Sequence, residues 1–262
     1  MQDAGRYLAQ MRQTAPLVQN ITNYVAMNVM ANVMLAAGAS PAMAHAREEA
    51  AEFAGFAHAL SVNIGTLDPE WITSMELAAA VMNETGKPWV FDPVAVFATG
   101  LRRDAGARLL ALKPDIIRGN ASEILALAGG AAAGSGADAG DTVESAEAAA
   151  RHLAKETGGI VAVTGAVDYV TDGDQAYRVA NGHALMPKIT ALGCSLTGIV
   201  AAFAVDQPPL EATAAALAYY GLAGEKAAMS ATGPGSLAMH FIDALHAMSP
   251  ADLTAGARIS AA

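Results

Sequence analysis

Short apolar runs alternate with longer segments of helical periodicity through most of the chain. The apolar runs at 59–65, 89–93, 115–120 and 159–165 each end in polar residues or glycine. Runs of this length, bounded by turn-forming residues, are typical of buried strands. Strands that alternate with helices predict an α/β fold, in which a mostly parallel sheet is covered by helices as a three-layer α/β/α sandwich.

The ends of two helices can also be predicted. The residues Asp68-Pro69-Glu70 supply a cap, a first-turn proline and an acidic residue for a helix at 70–84, which a following glycine and proline end. A second helix is predicted at 141–157, starting at its aspartate and stopping at a Gly-Gly pair. Both helices fall between predicted strands, as the α/β pattern requires.

The remaining segments are consistent with a single domain. The glycine- and alanine-rich segment 129–141 is predicted to be a surface loop, because the alternation resumes in phase after it. Residues 170–179 predict a hairpin that turns at Asp172-Gly173, and the chain after it is almost entirely helical in character. We therefore predict one domain, 1–262.

Composition narrows the class of protein. The net charge is −10 and no stripe of lysine and arginine occurs, so nucleic acid is not an expected partner. The single cysteine excludes an internal disulfide framework, and no Cys/His cluster has zinc-binding spacing. The polar N-terminal segment and the lack of a long apolar run predict a cytoplasmic protein that does not enter membranes.

Cys194, the only cysteine among 262 residues, directly follows Gly193 and begins an apolar, helix-forming stretch. At a helix N-terminus a thiol lies beside N–H groups that lack intrahelical partners, and such a site binds anions and favours the thiolate. A lone cysteine is also commonly a small, buried apolar residue. The spacing alone leaves both interpretations open.

Polar residues that follow the predicted strands suggest chemistry at one edge of the sheet. Asn120 and Glu123 have the spacing of a helix capping box; alternatively, the Glu123 carboxylate holds Mg²⁺ near phosphates. Asp92 ends another strand and either caps a turn or approaches a metal. If the strand assignments hold, Asp92, Glu123, Thr164 and Cys194 share one sheet edge, which suits phosphoryl transfer.

Together, several segments resemble the hydroxyethylthiazole kinase family, ribokinase-like enzymes of thiamine salvage. They are 17–43, 62–67, 91–94, 118–124, 162–165 and 192–203. The resemblance implies a ribokinase-like fold and transfer of the ATP γ-phosphate, with Mg²⁺, to the primary hydroxyl of 4-methyl-5-(2-hydroxyethyl)thiazole. It also implies a homotrimer with active sites shared between subunits.

The resemblance further implies a set of residues for the thiazole alcohol. By motif, Asn23, Val25 and Met43 line its pocket, with Gly65 and Ala191 close by. Without the family, Met43 is explained as a core residue and Asn23 as a helix cap.

A second set of residues is implied for ATP and the transferred phosphoryl group. Arg118 and Thr164, with Asn120 beside them, hold phosphates or ribose, while Glu123 and Asp92 are assigned to the metal. Gly193 and the N–H of Cys194 form the anion hole, and the Cys194 thiol stands where a general base is usual. Arg118 is otherwise explained as a solvated charge at a strand end.

Ala191 departs from the family pattern, which usually has glycine there. If this position has positive φ, the alanine alters the anion hole or the contact with the substrate ring, because alanine reaches that region only at a cost. Two alternatives therefore stay open: a related kinase for another hydroxyalkyl heterocycle, and a non-catalytic ligand-binding protein of the same fold. The carboxylates of Asp92 and Glu123, and Cys194, count against the second.

Overall fold

One nine-stranded sheet forms the centre of the computed structural model, which describes residues 3–129 and 142–262. Its strands are β1 (Leu17–Ile21), β2 (Ser40–Ala42), β3 (Ala59–Asn63), β4 (Trp89–Asp92), β5 (Ile116–Asn120), β6 (Ile160–Thr164), β7 (Asp168–Thr171), β8 (Ala176–Val179) and β9 (Ile259–Ala261). The strand order is β2-β1-β3-β4-β5-β6-β7-β8-β9. Pairing is parallel from β2 through β6 and antiparallel from β6 to β9.

Helices cover both faces of this sheet. They are α1 (Gly5–Thr14), α2 (Met27–Ala37), α3 (Arg47–Phe56), α4 (Pro69–Thr85), α5 (Gly100–Ala111), α6 (Ala121–Leu127), α7 (Val143–Thr157), α8 (Leu192–Ala204), α9 (Pro209–Ala228), α10 (Pro234–Ala247) and α11 (Pro250–Gly256). Within the described ranges, no helix is long and apolar enough to cross a membrane.

Alternate residues of a strand pack into opposite helical layers. Val90 belongs to a core with α1, α2, α8, α9 and α10, whereas its neighbours Trp89 and Phe91 pack with α3 and α4. Farther along the sheet, Ile117 and Val161 pack with α6 and α7. Because side chains alternate along a strand, one sheet supports two cores. The predicted three-layer α/β/α sandwich with a mostly parallel sheet is confirmed.

The strongest local signals predicted their elements closely. The runs predicted as strands correspond to β3, β4, β5 and β6, and the predicted hairpin is β7 and β8. The Asp68 side chain accepts a hydrogen bond from the Trp71 N–H, and Gly86 ends α4 with a left-handed conformation, φ 65°. These caps act within a few residues, so they are readable without tertiary context.

Other boundaries were missed or shifted. Strand β1 carries the buried polar residues Gln19 and Asn20, while β2 and β9 each have 3 residues, too few for a periodic signal. Helix α7 begins at Val143 because the Thr142 side chain accepts the Ser145 N–H. Its predicted start at Asp141, and all of the predicted loop 129–141 except its first residue, lie outside the described residues.

Candidate active site

Four neighbouring parallel strands end in the polar residues that form the site. Asn63, the last residue of β3, lies opposite Asp92, the last residue of β4. Asn120 ends β5 opposite Thr164, which ends β6. The carboxyl ends of parallel strands meet at one edge of the sheet, where open α/β sheets bind ligands. The structure therefore brings Asp92 and Thr164 to the same edge, as the sequence predicted.

A buried ion pair lies at the centre of this edge. Arg118 Nη1 is 3.0 Å from Asp92 Oδ2, and the two side chains are only 9% and 1% exposed. The same Oδ2 accepts hydrogen bonds from Asn63 (2.7 Å) and Thr197 (2.8 Å). Asp92 Oδ1 is buried and has no hydrogen-bond partner in the described chain. Arg118 is therefore not the solvated strand-end charge that the sequence left open.

Burial and charge act against each other in this pair. Burial raises the pKa of Asp92, although Arg118 and two further hydrogen-bond donors lower it. Burial alone would lower the pKa of Arg118, but the charges of Asp92 and Glu123 raise it overall. The guanidinium therefore stays charged and supplies a fixed positive charge at the strand ends.

Arg118 also ties several elements together. Its Nη1 donates to the Gly193 carbonyl (3.1 Å) and its Nη2 to the Thr164 hydroxyl (3.0 Å). The Thr164 hydroxyl in turn donates to the Gly119 carbonyl (3.2 Å). The Arg118 side chain thereby links β4, β6 and the start of α8. These contacts hold its guanidinium group in a single orientation.

Glu123 closes the capping box predicted from the sequence. Glu123 Oε2 accepts the Asn120 N–H (2.8 Å), and Asn120 Oδ1 accepts the Glu123 N–H (2.9 Å). Glu123 Oε1 also accepts the N–H of Ala95 (3.0 Å). Burial, followed by the charge of Asp92, raises the pKa of Glu123. The capping interpretation is correct, and a cation between the two carboxylates would also relieve their repulsion.

The N-terminus of α8 presents free backbone donors to the same edge. Ala191 precedes the helix in the left-handed region, φ 63°. The Ser195 N–H donates the first helical hydrogen bond, 2.8 Å, to the Ala191 carbonyl. The N–H groups of Leu192, Gly193 and Cys194 therefore have no intrahelical acceptor, and with the helix dipole they form an anion site.

The left-handed Ala191 predicts a measurable strain. We expect Ala191→Gly to raise the free energy of unfolding by up to about 1 kcal/mol, since left-handed alanine costs roughly 1–2 kcal/mol and the freedom of unfolded glycine offsets part of this. The control is Ala107→Gly, an exposed position within α5, which should lower stability by about 1 kcal/mol. Urea titration measures the free energy of unfolding of both variants. If Ala191→Gly lowers it, the backbone at Ala191 is not strained.

Cys194 is a partly exposed thiol at this helix start. Its Sγ accepts a hydrogen bond from Asn23 Nδ2 at 3.2 Å. Burial, followed by the charge of Asp92, raises the pKa of the Cys194 thiol, although Asn23 and Arg118 lower it. The sequence argument that the helix position favours the thiolate is outweighed, so the thiol predominates at neutral pH.

The residues assigned to the alcohol pocket lie in different surroundings. A Cβ on Gly65 would lie 2.7 Å from Asn23 Nδ2, so only glycine permits this approach. Asn23 Oδ1 accepts the Ala26 N–H (3.0 Å) just before α2, so Asn23 also has the predicted cap-like role. Val25 is 58% exposed, and Met43 is half-buried against the core, as its alternative explanation required. Asn23 therefore contacts the thiol and Gly65 packs against Asn23, whereas Val25 faces outward.

A cavity of about 680 Å³ opens beside the N-terminus of α8. Its polar end has Arg118, Thr164, Asp168 and Gly193. A second cavity, about 520 Å³, is lined by Asn120 and Thr164 among others. The apolar wall of the first cavity is formed by Met186, Ile189, Leu196, Leu217 and Tyr220. An apolar cleft with a few convergent polar groups suits an organic ligand that carries an anionic group.

Three polar residues of the site were missed from the sequence. They are Asn63, Asp168 and Thr197. Asn63 was visible as the polar end of a predicted strand, but its partner Asp92 depends on strand register. Burial raises the pKa of Asp168 to about 7, even though its Oδ1 accepts the Gly165 N–H. Thr197 lies on α8 in a run of apolar residues and carries no local signal of its contact with Asp92.

The donor set fits Mg²⁺ that arrives with a nucleotide. Within the described residues, no group of three or more His, Cys, Asp or Glu side chains could hold a metal ion alone. Mg²⁺ is usually bound by one or two carboxylates together with phosphate oxygens and water. The unpartnered Asp92 Oδ1 and the nearby Glu123 carboxylate would supply that share.

Solved structures define the class of this fold. A ribokinase-like superfamily protein from Enterococcus faecalis is similar, with a TM-score of 0.64, 13% identity and coverage of 91% of this chain and 89% of that chain. The mostly parallel sheet covered by helices on both faces is a ribokinase-like fold.

Proteins with higher sequence identity to this chain identify its family. The profile of the hydroxyethylthiazole kinase family matches residues 8–251. A hydroxyethylthiazole kinase from Cereibacter sphaeroides is 65% identical over 262 residues, the full length of both chains. The structure of a hydroxyethylthiazole kinase protein from Pyrococcus horikoshii is 40% identical, with a TM-score of 0.91 and coverage of 99% of this chain and 98% of that chain. The chain belongs to the hydroxyethylthiazole kinase family.

Proposed function

We propose that this protein transfers the γ-phosphoryl group of ATP to the primary hydroxyl of 4-methyl-5-(2-hydroxyethyl)thiazole. The alcohol oxygen bonds to the γ-phosphorus, the bond to the β–γ bridging oxygen breaks, ADP leaves with that electron pair, and the hydroxyl proton is released. The observation that carries the proposal is the contact of Arg118 with both Asp92 and the Gly193 carbonyl at the start of α8. The names of the full-length relatives support the choice of alcohol.

The triphosphate of ATP is proposed to lie at the polar end of the larger cavity. Arg118 and Gly193 both line this end, and Gly193 carries one of the free N–H groups at the start of α8. These donors are fixed by the fold, so they stabilise charge on the transferring phosphoryl group without reorganisation. The apolar wall of the cavity is then available to the nucleoside.

The alcohol is proposed to lie on the Cys194 side of the helix start. Asn23 contacts the thiol there and Gly65 packs against Asn23, and the hydroxyl would face the phosphoryl group across the N-terminus of α8. Placing the two reacting groups in contact removes much of the entropic barrier to their reaction. In this arrangement the thiolate form of Cys194 accepts the hydroxyl proton, and the N–H groups stabilise the developing charge.

Mg²⁺ is proposed to be held by Asp92 Oδ1 and Glu123 together with phosphate oxygens. When bound, the ion neutralises charge on the phosphates. We expect Glu123→Gln to raise the Mg²⁺ concentration for half-maximal rate several-fold, because the variant loses the anionic ligand. Glutamine keeps one of the two backbone contacts of Glu123, so stability should fall by only about 1 kcal/mol. If the Mg²⁺ concentration for half-maximal rate is unchanged in the variant, Glu123 serves only to cap the helix and does not bind the ion.

A homotrimer with active sites at subunit boundaries is also proposed. Tyr24 and Val25 are 64% and 58% exposed, and they directly follow Asn23 at the alcohol side of the site. Large apolar side chains in such a position favour contact with a second chain. The cytoplasmic location and the absence of nucleic-acid partners stay predictions from composition.

A coupled assay of ADP release tests the proposed reaction. With Mg²⁺ and ATP present, ADP formation should depend on the thiazole alcohol and be much slower with pyridoxal or a hydroxymethylpyrimidine. A higher kcat/KM for one of those alcohols would favour the related-kinase alternative. Absence of turnover with every alcohol, together with measured ATP binding, would favour the non-catalytic alternative.

A further inference from the structure

A continuous chain of side-chain hydrogen bonds joins Cys194 to Asp92. Asn23 Nδ2 donates to Cys194 Sγ (3.2 Å) and to Asn63 Oδ1 (2.8 Å). Asn63 Nδ2 in turn donates to Asp92 Oδ2 (2.7 Å). Asn63 is 1% exposed and is therefore shielded from solvent. The thiol on the alcohol side and the carboxylate on the phosphate side are thus connected through two buried amides, those of Asn23 and Asn63.

Two backbone donors fix the direction of this chain. The Gly65 N–H donates to Asn63 Oδ1 (2.9 Å), so the amide nitrogen of Asn63 must point to Asp92. The Ala26 N–H donates to Asn23 Oδ1 (3.0 Å), so the amide nitrogen of Asn23 must point to Asn63 and Cys194. A backbone N–H has no acceptor capacity, and neither amide can rotate by half a turn without losing hydrogen bonds at both ends.

The fixed direction has consequences at both ends. Cys194 Sγ is an acceptor from Asn23, so the S–H group of the thiol points away from this amide. At the other end, Asp92 Oδ2 accepts hydrogen bonds from Asn63, Arg118 and Thr197, while Oδ1 has no hydrogen-bond partner among the described residues. The carboxylate is therefore held in one orientation, with Oδ1 buried and left without a partner.

We propose that Asn63 is a positioning residue, which orients Asn23 against Cys194 and Asp92 toward the phosphates at the same time. The inference rests on the proposed kinase function and adds to it a residue to which the family resemblance assigned no role. Because Asn63 lies behind the reacting groups, it acts through Asn23 and Asp92. Small displacements of positioned groups cost rate even when the chemistry is unchanged.

The experiment compares Asn63→Ala and Asn63→Ser with Ser61→Ala. Ser61 lies on the same strand, is fully buried, and its hydroxyl has no partner in the described chain, so its loss controls for a small change in the core. We expect both Asn63 variants to lower kcat about tenfold to a hundredfold and to weaken binding of the thiazole alcohol, measured by calorimetry without nucleotide. The KM for MgATP should rise only slightly, because Arg118 and Thr197 still hold Asp92 Oδ2. Ser61→Ala should match the wild type.

A double-mutant cycle separates positioning from general destabilisation. If Asn63 acts through Asn23, then Asn63→Ala in an Asn23→Ala background should lose most of its effect on alcohol binding, since coupled residues are not additive. Additive effects, or Asn63 variants with wild-type kcat and alcohol affinity, would overturn the inference while wild-type turnover upholds the proposed function. Wild-type protein that neither binds nor phosphorylates the alcohol would overturn both.

Discussion

Arg118→Leu is expected to lower the free energy of unfolding by about 3–5 kcal/mol, because it leaves the buried Asp92 charge without its partner. The same variant should lose measurable phosphoryl transfer, since the guanidinium also contacts Gly193 and Thr164 at the polar end of the cavity. Chemical denaturation with tryptophan fluorescence measures the first effect, and ADP release measures the second.

The double variant Arg118→Leu with Asp92→Leu separates the effect of an unpaired buried charge on stability from the loss of phosphoryl transfer. Replacing both charges removes the uncompensated ion, so its stability should exceed that of Arg118→Leu alone, although activity stays lost. A single Arg118→Leu variant with wild-type stability would show that Asp92 is not held as a charged partner. Retained activity in that variant would remove Arg118 from the proposed phosphate site.

Cys194→Ala should lower kcat about a hundredfold or more if the sulfur accepts the hydroxyl proton, while the dissociation constant for ATP stays nearly unchanged. The methyl side chain keeps the helix start and its N–H groups, which are the proposed phosphate contacts. Cys194→Ser distinguishes a base from a hydrogen-bond acceptor: serine accepts a hydrogen bond from Asn23 but is a far weaker acid, so it should behave like alanine.

The pH dependence of kcat tests independently whether Cys194 accepts the hydroxyl proton. Burial and Asp92 raise the pKa of the thiol above its ordinary value, so the thiolate fraction grows as pH rises through the alkaline range. The kcat of the wild type should therefore increase with pH there, while that of Cys194→Ala should not. Equal pH profiles, or loss of ATP binding in Cys194→Ala, would indicate a structural role.

The sequence was most informative where the controlling interactions are local. Asp68 and Gly86 bound α4 through contacts within a few residues, and Asn120 with Glu123 form their capping box within one helical turn. The strands β3 to β6 were predicted for a similar reason, since continuous apolar runs describe a buried parallel strand. Their polar last residues then placed Asp92 and Thr164 at one edge.

The sequence was least informative where burial and register decide. The contact of Asp92 with Thr197 spans 105 positions of the chain and requires the packing of α8 on β4. The ionisation of Cys194 was left open by the sequence, because the burial and the nearby carboxylate that raise the pKa of its thiol depend on the tertiary structure. By contrast, Ala191 was singled out by a departure from the family pattern, and the structure shows that the condition raised there, a positive φ, is met.

The most direct test of the proposed kinase follows the phosphoryl group itself. The protein is incubated with the thiazole alcohol, Mg²⁺ and ATP labelled in the γ-phosphoryl group, and the products are separated and examined by phosphorus NMR. The proposed function predicts that the label moves into a phosphate monoester on the hydroxyethyl oxygen, with one ADP formed for each ester. Label found only in ATP or in inorganic phosphate, with folded protein that binds both substrates, would contradict it.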